Sequence, residues 1–147
     1  MDLLLFDHPE HTHRADALGL DGVLIDFERR GKHDRQAGAD TAISAATIDD
    51  VAPARAATGQ PVIVRVDGPD GLDPSLAARL ADLGVDEVLL PMVRHPGELE
   101  RAQQVAEGLL AVGMLAETAD AVRRAGAALP IVSGGHAHAL VRRCIES

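Results

Sequence analysis

The sequence predicts an α/β fold built on a parallel β-sheet. Short runs of β-branched and aliphatic residues alternate regularly with alanine-rich stretches of helical character. The β-type runs are continuously apolar, a pattern typical of parallel strands that are covered on both faces. About six βα units follow one another without an internal linker, which predicts a single domain over residues 1–147.

The predicted strands are short apolar runs whose ends are marked by polar residues, glycine or proline. They cover Leu3–Phe6, Gly22–Phe27, Pro61–Val66, Glu87–Leu90, Leu109–Leu115 and Pro130–Ser133. The predicted helices lie over His11–Leu18, Ile48–Thr58, Ser75–Leu83 and Glu98–Glu107, then from about Thr118, and finally after Ser133. Asp73 is suited to cap the third of these helices, with Pro74 in its first turn and Gly84 at its C-terminal stop.

The regular alternation of strand and helix allows two architectures, a doubly wound sheet or a (β/α) barrel. A complete barrel has eight units and usually needs about 200 residues or more. With 147 residues, the chain is about two units short of that length.

Composition excludes several classes of protein. Hydrophobic residues make up 46% of the chain and charged residues 25%, which are globular values and argue against disorder. No apolar run approaches the roughly 20 residues of a membrane span, and the acidic start MDLLLFDHPEH is unlike a secretory signal. The lone Cys144 excludes a disulfide framework and a multi-cysteine zinc site. We therefore expect a soluble cytoplasmic domain.

The charge balance limits the partners. The chain has 14 basic and 23 acidic residues and a net charge of −9, which argues against nucleic acid and against an anionic membrane surface. It contains no Trp or Tyr, so platforms for stacking bases are essentially absent. A small anionic substrate remains compatible with this charge, because one or two arginines are enough to hold it.

Sites in parallel α/β folds form at the carboxyl ends of the strands, so the residues at or just after each predicted strand end are the candidates. They are Asp7 and His8; Asp26, Glu28, Arg29 and Arg30; Arg65; Pro91 and Met92; Glu117 and Thr118; and Ser133–His136. Carboxylates and an arginine at one edge would suit a divalent metal with an oxyacid substrate. The alternative is that these charges are solvated or cap helices. For Arg65, which lies inside an apolar strand and is costly to bury unpaired, the alternative is a fixed salt bridge with Asp26 or Glu28.

Four segments of the sequence resemble a known protein family. The strings GLDGVLIDFERRGKHDRQAGADTAIS, PVIVRV, GVDEVLLPMV and GMLAETADAV occur in the order typical of the HpcH/HpaI aldolase and citrate lyase β-subunit superfamily. The resemblance covers about Leu3 to Val122. It implies a shortened (β/α) TIM-barrel-like parallel sheet and a lyase that makes or breaks carbon–carbon bonds next to a carbonyl. It also implies Mg²⁺, or another divalent metal such as Mn²⁺, as the cofactor that helps to hold a pyruvate-like or oxaloacetate-like enolate.

The resemblance also implies roles for individual residues. Arg65 matches the arginine that grips the substrate carboxylate or enolate oxygen, and Glu117 matches a carboxylate metal ligand. Asp26 and Glu28 match acidic residues beside the metal and its bound water. A guanidinium and a Lewis acid would both stabilise the charge that develops on bond cleavage.

The chain departs from the family at two places. Arg29 stands where the family's pyruvate aldolases have a histidine base, and His33 is the nearest alternative base. The stretch IVSGGHAHAL lacks the acid of the family's second metal motif. A second hypothesis is therefore a non-catalytic shortened relative that serves as a binding or assembly subunit. In either case we expect a homo-oligomer, because an incomplete barrel leaves edge strands unpaired.

Two histidine groups have alternative explanations. His8, His11 and His13 could form a metal cluster, although the start of a helix explains the same residues. His136 and His138 could replace the missing metal ligand, although we favour a second helix start there.

Overall fold

One parallel β-sheet organises the chain. The computed structural model describes residues 2–6, 8–28, 46–116 and 139–141. In these ranges the strands are β1 (Leu3–Leu5), β2 (Gly22–Asp26), β3 (Val62–Arg65), β4 (Glu87–Leu90), β5 (Ala111–Ala116) and β6 (Ala139–Val141). They lie side by side in the order in which they occur in the sequence, and every neighbouring pair is parallel.

The helices lie between successive strands. They are α1 (Pro9–Thr12), α2 (Arg14–Leu18), α3 (Val51–Ala57), α4 (Pro74–Asp82) and α5 (Pro96–Ala106), with 3₁₀ turns at Ile48–Asp50 and Pro69–Gly71. The Asp73 side chain accepts a hydrogen bond from the N–H of Leu76 and caps α4, while Gly84 ends it with a left-handed φ of 81°. Both roles confirm the sequence prediction. In the part of the chain that is described, no helix combines the length and apolar character needed to cross a membrane.

The two faces of the sheet have different neighbours. Val62, Val64 and their counterparts on the other strands pack with the helix residues, and we call this the outer face. The inner face carries Leu3, Leu24, Ile63, Leu89 and Leu115, and among the described residues no helix joins this cluster. A sequential strand order with helices on one face is the arrangement of a (β/α) barrel. The fold is therefore a shortened TIM-barrel-like sheet, as predicted, and the doubly wound alternative is wrong.

The predicted helix over His11–Leu18 needs a correction. The structure divides it into α1 and α2, which meet at His13, and begins it two residues earlier at Pro9. The cause is local, because the His8 side chain accepts a hydrogen bond from the N–H of Glu10 and so caps the chain ahead of Pro9. A proline in the first turn needs no N–H donor.

The last strand was not predicted. Residues 139–141 were expected in a helix but form β6, which pairs with β5 in the register Met114↔Ala139 to Ala116↔Val141. Backbone N–H and C=O groups at the edge of β5 are satisfied by this pairing, which overrides the helical tendency of an Ala-Leu segment. The predicted strand Pro130–Ser133 and the helix from Thr118 lie outside the described residues.

Candidate functional site

The carboxyl ends of β2 and β3 bring three predicted site residues together. Asp26 is the last residue of β2 and Arg65 the last of β3, and the two are direct partners in the strand register. Ile25, Val64 and Val66 belong to the core on the outer face, so strand alternation places Asp26 and Arg65 on the inner face. The site therefore lies at the edge where parallel α/β folds bind ligands.

Asp26 holds Arg65 through two parallel hydrogen bonds. Arg65 Nε donates to Asp26 Oδ1 at 2.9 Å, and Arg65 Nη2 donates to Asp26 Oδ2 at 2.6 Å. The side chains of Asp26 and Arg65 are only 5% and 15% exposed. A two-point contact of this kind fixes the plane of the guanidinium as well as its position.

Glu28 completes the ion-pair cluster. Its Oε2 lies 3.2 Å from Arg65 Nη2, and its side chain is buried. Its backbone N–H donates to Asp26 Oδ1 at 2.9 Å, so the Asp26 carboxylate also fixes the turn that follows β2. Phe27, between the two acids, donates its N–H to the carbonyl of Arg65 at 2.8 Å and extends the strand pairing by one residue.

The electrostatics of the cluster explain why it holds together. Burial of an ionised carboxylate costs several kcal/mol unless an opposite charge compensates it. Asp26 and Glu28 contribute two negative charges and Arg65 one positive charge, so the three groups together carry a net charge of −1. The cluster holds the guanidinium in a fixed orientation.

Comparison with known proteins supports the same fold. No protein-family model matches the sequence, and no curated protein matches it. A solved HpcH/HpaI aldolase/citrate lyase family protein from Burkholderia cenocepacia J2315 superposes with a TM-score of 0.62 at 16% identity. The chain has an HpcH/HpaI aldolase-like fold. The superposition covers 95% of the chain and 62% of that protein, so the chain spans less than two thirds of its length.

Mandelate oxidase shares this fold. Mandelate oxidase, solved with 3,3-difluoro-2-hydroxy-3-phenylpropionic acid, superposes with a TM-score of 0.55 at 19% identity. That match covers 78% of the chain and 40% of the oxidase. At such identities the likeness concerns the fold of the aldolase-like sheet and not its chemistry.

The described part of the aldolase-like fold supplies two hard oxygen donors for a divalent cation. Mg²⁺ in proteins is commonly bound by one or two carboxylates together with water and substrate oxygens. The carboxylates of Asp26 and Glu28 are donors of this kind, so their chemistry fits such an ion. Within the described ranges no group of three or more His, Cys, Asp or Glu side chains is placed to hold a metal. Glu117 follows the last residue of β5 in the sequence, and both Glu117 and His33 lie outside the described residues.

The histidines near β1 begin a helix, as favoured from the sequence. His8 caps α1, and its ring centroid lies 5.9 Å from that of His11. His8 Nδ1 lies 3.8 Å from a carboxylate oxygen of Glu10, and both side chains are largely exposed. His136 and His138 lie outside the described residues.

The segment after β4 contains two features that the sequence did not predict. Met92 has a φ of 58°, in the left-handed region that few residues other than glycine adopt, and it is 39% exposed. Glu98 accepts hydrogen bonds from the N–H groups of Arg94 and His95 at the start of α5. Burial raises the pKa of Glu98, but these bonds and the nearby His95 and Arg101 outweigh it and lower the pKa. The Glu at the third position of the helix signals this cap, whereas nothing in the sequence signals the backbone of Met92.

Proposed function

We propose that this chain carries the substrate-binding part of a metal-dependent carbon–carbon lyase of the aldolase type. Its substrate class is a small 2-oxoacid or hydroxy acid whose cleavage passes through a pyruvate-like or oxaloacetate-like enolate. The observation that supports this most directly is Arg65, a largely buried guanidinium held between two buried carboxylates at the carboxyl edge of the sheet. The aldolase-like fold supports the same class.

Arg65 is the proposed substrate clamp. A guanidinium has five N–H donors in a rigid fork, and this geometry matches a carboxylate or the oxygens of an enolate. Asp26 is the proposed positioning residue, because its two hydrogen bonds fix the plane of that fork. A prealigned donor needs little rearrangement when negative charge develops on the substrate.

In the proposed reaction, the bond between the carbon next to the carbonyl and the hydroxyl-bearing carbon breaks. Its electron pair stays on the oxoacid fragment as an enolate, and the other fragment leaves as an aldehyde or ketone. A base takes the proton from the hydroxyl group of the departing fragment, and His33 is our candidate from the sequence. Proton return to the enolate carbon completes the oxoacid product. Mg²⁺ or Mn²⁺, held by Glu28 and Glu117 with Asp26 beside the ion and its bound water, would supply Lewis-acid stabilisation of the enolate oxygen.

A second function is supported by the edges of the sheet. Among the described strands, β1 and β6 are the outermost. Unpaired edge strands favour association with another chain. A non-catalytic binding or assembly subunit, or a homo-oligomer, would cover these edges.

The Arg65→Lys variant tests the clamp. Lysine keeps the positive charge but loses the two-point geometry, so we expect oxalate or pyruvate to bind at least tenfold more weakly with Mg²⁺ present, or about 1.4 kcal/mol. Titration calorimetry measures this, and Arg94→Lys, an exposed arginine in the segment after β4, is the matched control. Equal oxalate affinity in wild type and Arg65→Lys would contradict the clamp. A wild type whose thermal midpoint does not rise with millimolar Mg²⁺ would favour the assembly subunit.

A further inference from the structure

Glu87 is a further buried ionisable residue of the sheet and lies outside the ion-pair cluster. Glu87 is the first residue of β4 and is only 6% exposed. Its register partners are Ile63 on β3 and Ala111 on β5. Val88 belongs to the core on the outer face and Leu89 to the inner cluster, so alternation places Glu87 on the inner face.

The carboxyl group of Glu87 has no hydrogen-bond or ion-pair partner among the described residues. The adjacent Asp86 does not share its surroundings, because Asp86 accepts hydrogen bonds from Arg55 and from the N–H of Val62. Burial without a partner disfavours the carboxylate relative to the neutral acid. Burial accordingly raises the pKa of Glu87 to about 7.

The elements beside Glu87 offer little compensating charge. On β3 the next inner-face residue is Arg65, whose guanidinium is engaged by Asp26 and Glu28. On β5 the inner-face residues beside it are Ala111 and Gly113, which cannot ionise. The described helices pack on the opposite face of the sheet. The nearest strands therefore stabilise the neutral carboxylic acid better than the anion.

We propose that Glu87 binds a proton in the folded chain and thereby makes the packing of the inner face dependent on pH. The neutral acid is compatible with its place between Ile63 and Ala111. The anion must recover water, and it does so most easily when β4 separates from its neighbours or the chain unfolds. Loss of the Glu87 proton would therefore destabilise the fold as the pH rises through the neutral range.

The sign of the effect follows from proton uptake on folding. The folded chain binds the Glu87 proton more tightly than the unfolded chain, in which the pKa is near the ordinary value of 4.5. The stabilising effect is therefore complete below about pH 4.5 and is lost as the pH rises towards 7. In that interval the unfolding constant rises by up to about tenfold per pH unit from this group alone.

The test compares denaturant unfolding of wild type, Glu87→Gln and Glu100→Gln between pH 5 and pH 8. Glutamine keeps the shape but cannot ionise, so we expect the loss of stability with rising pH to be smaller in Glu87→Gln than in wild type. Glu100 is exposed on α5, and its substitution should leave that dependence in place. A Glu87→Gln variant with the same pH dependence as wild type would overturn the proposal.

An NMR titration of the wild type tests the proposal even if Glu87→Gln does not fold. The side-chain carboxyl carbon of Glu87 can be assigned by through-bond NMR in the wild type and followed against pH. We expect its midpoint near 7, and a midpoint near 4.5 would overturn the proposal. Because neither readout involves oxalate or Mg²⁺, failure of this site is distinguishable from failure of the proposed lyase activity.

Discussion

Asp26 and Arg65 face each other across β2 and β3 at the same position in the strand register, and two hydrogen bonds join their side chains. The pairing holds the carboxyl ends of the two strands together through side chains as well as through the backbone. Since both groups are largely buried, each depends on the other for compensation of its charge. Stability and the proposed ligand binding are therefore linked at one pair of residues.

Removal of the Arg65 charge should destabilise the fold strongly. Arg65→Met keeps most of the side-chain volume but removes the positive charge that pairs with Asp26 and Glu28, so we expect a loss of about 3–5 kcal/mol in the free energy of unfolding. Denaturant unfolding at neutral pH measures it. Arg79→Met, on an exposed position of α4, should change stability by less than about 0.5 kcal/mol. Equal effects at both positions would show that the buried pair contributes nothing specific.

The residues of this cluster, and an ion pair of Arg65 with Asp26 or Glu28, could be predicted from the sequence, but the geometry of the cluster could not. Charged residues at the ends of the apolar strands indicate which edge of the sheet carries the site. The strings IDFE and VIVRV contain the three side chains that meet there. Register depends on contacts between segments that are 39 residues apart in the chain. Strand alternation alone therefore could not show that Asp26 lies opposite Arg65 and that Glu28 reaches the same guanidinium nitrogen.

The wrong prediction at β6 and the unpredicted burial of Glu87 have a similar physical cause. The Ala-Leu segment of β6 has helical propensity, and its pairing with β5 overrides that propensity. Glu87 was correctly predicted to begin a strand, but its burial depends on which face of β4 turns inward, and that is decided by packing with β3 and β5. The Asp73 cap was predicted correctly, because Asp73 and Leu76, the two residues that its hydrogen bond joins, lie within one helical turn.

Divalent cation binding should depend on Glu28 and on Glu117. Glu28→Gln and Glu117→Gln each replace a charged oxygen ligand with a neutral one of the same shape, so we expect Mg²⁺ affinity to fall at least tenfold in each variant. Calorimetric titration of Mg²⁺ measures this, with the exposed Glu100→Gln as the control. Because a ligand of the native state stabilises it, the rise in thermal midpoint with Mg²⁺ should shrink in parallel. Unchanged Mg²⁺ affinity in Glu117→Gln would remove that residue from the site.

Backbone strain at Met92 gives the last prediction. Its φ of 58° costs a residue with a Cβ atom roughly 1–2 kcal/mol, a cost that glycine does not carry. Glycine also loses more conformational entropy on folding, by roughly 0.5–1 kcal/mol. The two effects partly cancel, so Met92→Gly should be neutral or slightly stabilising. Met92→Val should destabilise by about 1 kcal/mol or more, since a β-branched residue fits this conformation poorly.

Leu109 is the matched control for Met92. It is also an exposed apolar residue just outside a strand, at 55% exposure, but its φ is not positive. At Leu109 the order should therefore reverse, with valine close to neutral and glycine destabilising by about 0.5–1 kcal/mol. Denaturant unfolding of the four variants measures both pairs. If glycine is destabilising to the same extent at both positions, the left-handed backbone of Met92 stores no strain. If the order reverses, strain is present at the carboxyl end of β4, at the edge where strained residues commonly support ligand binding.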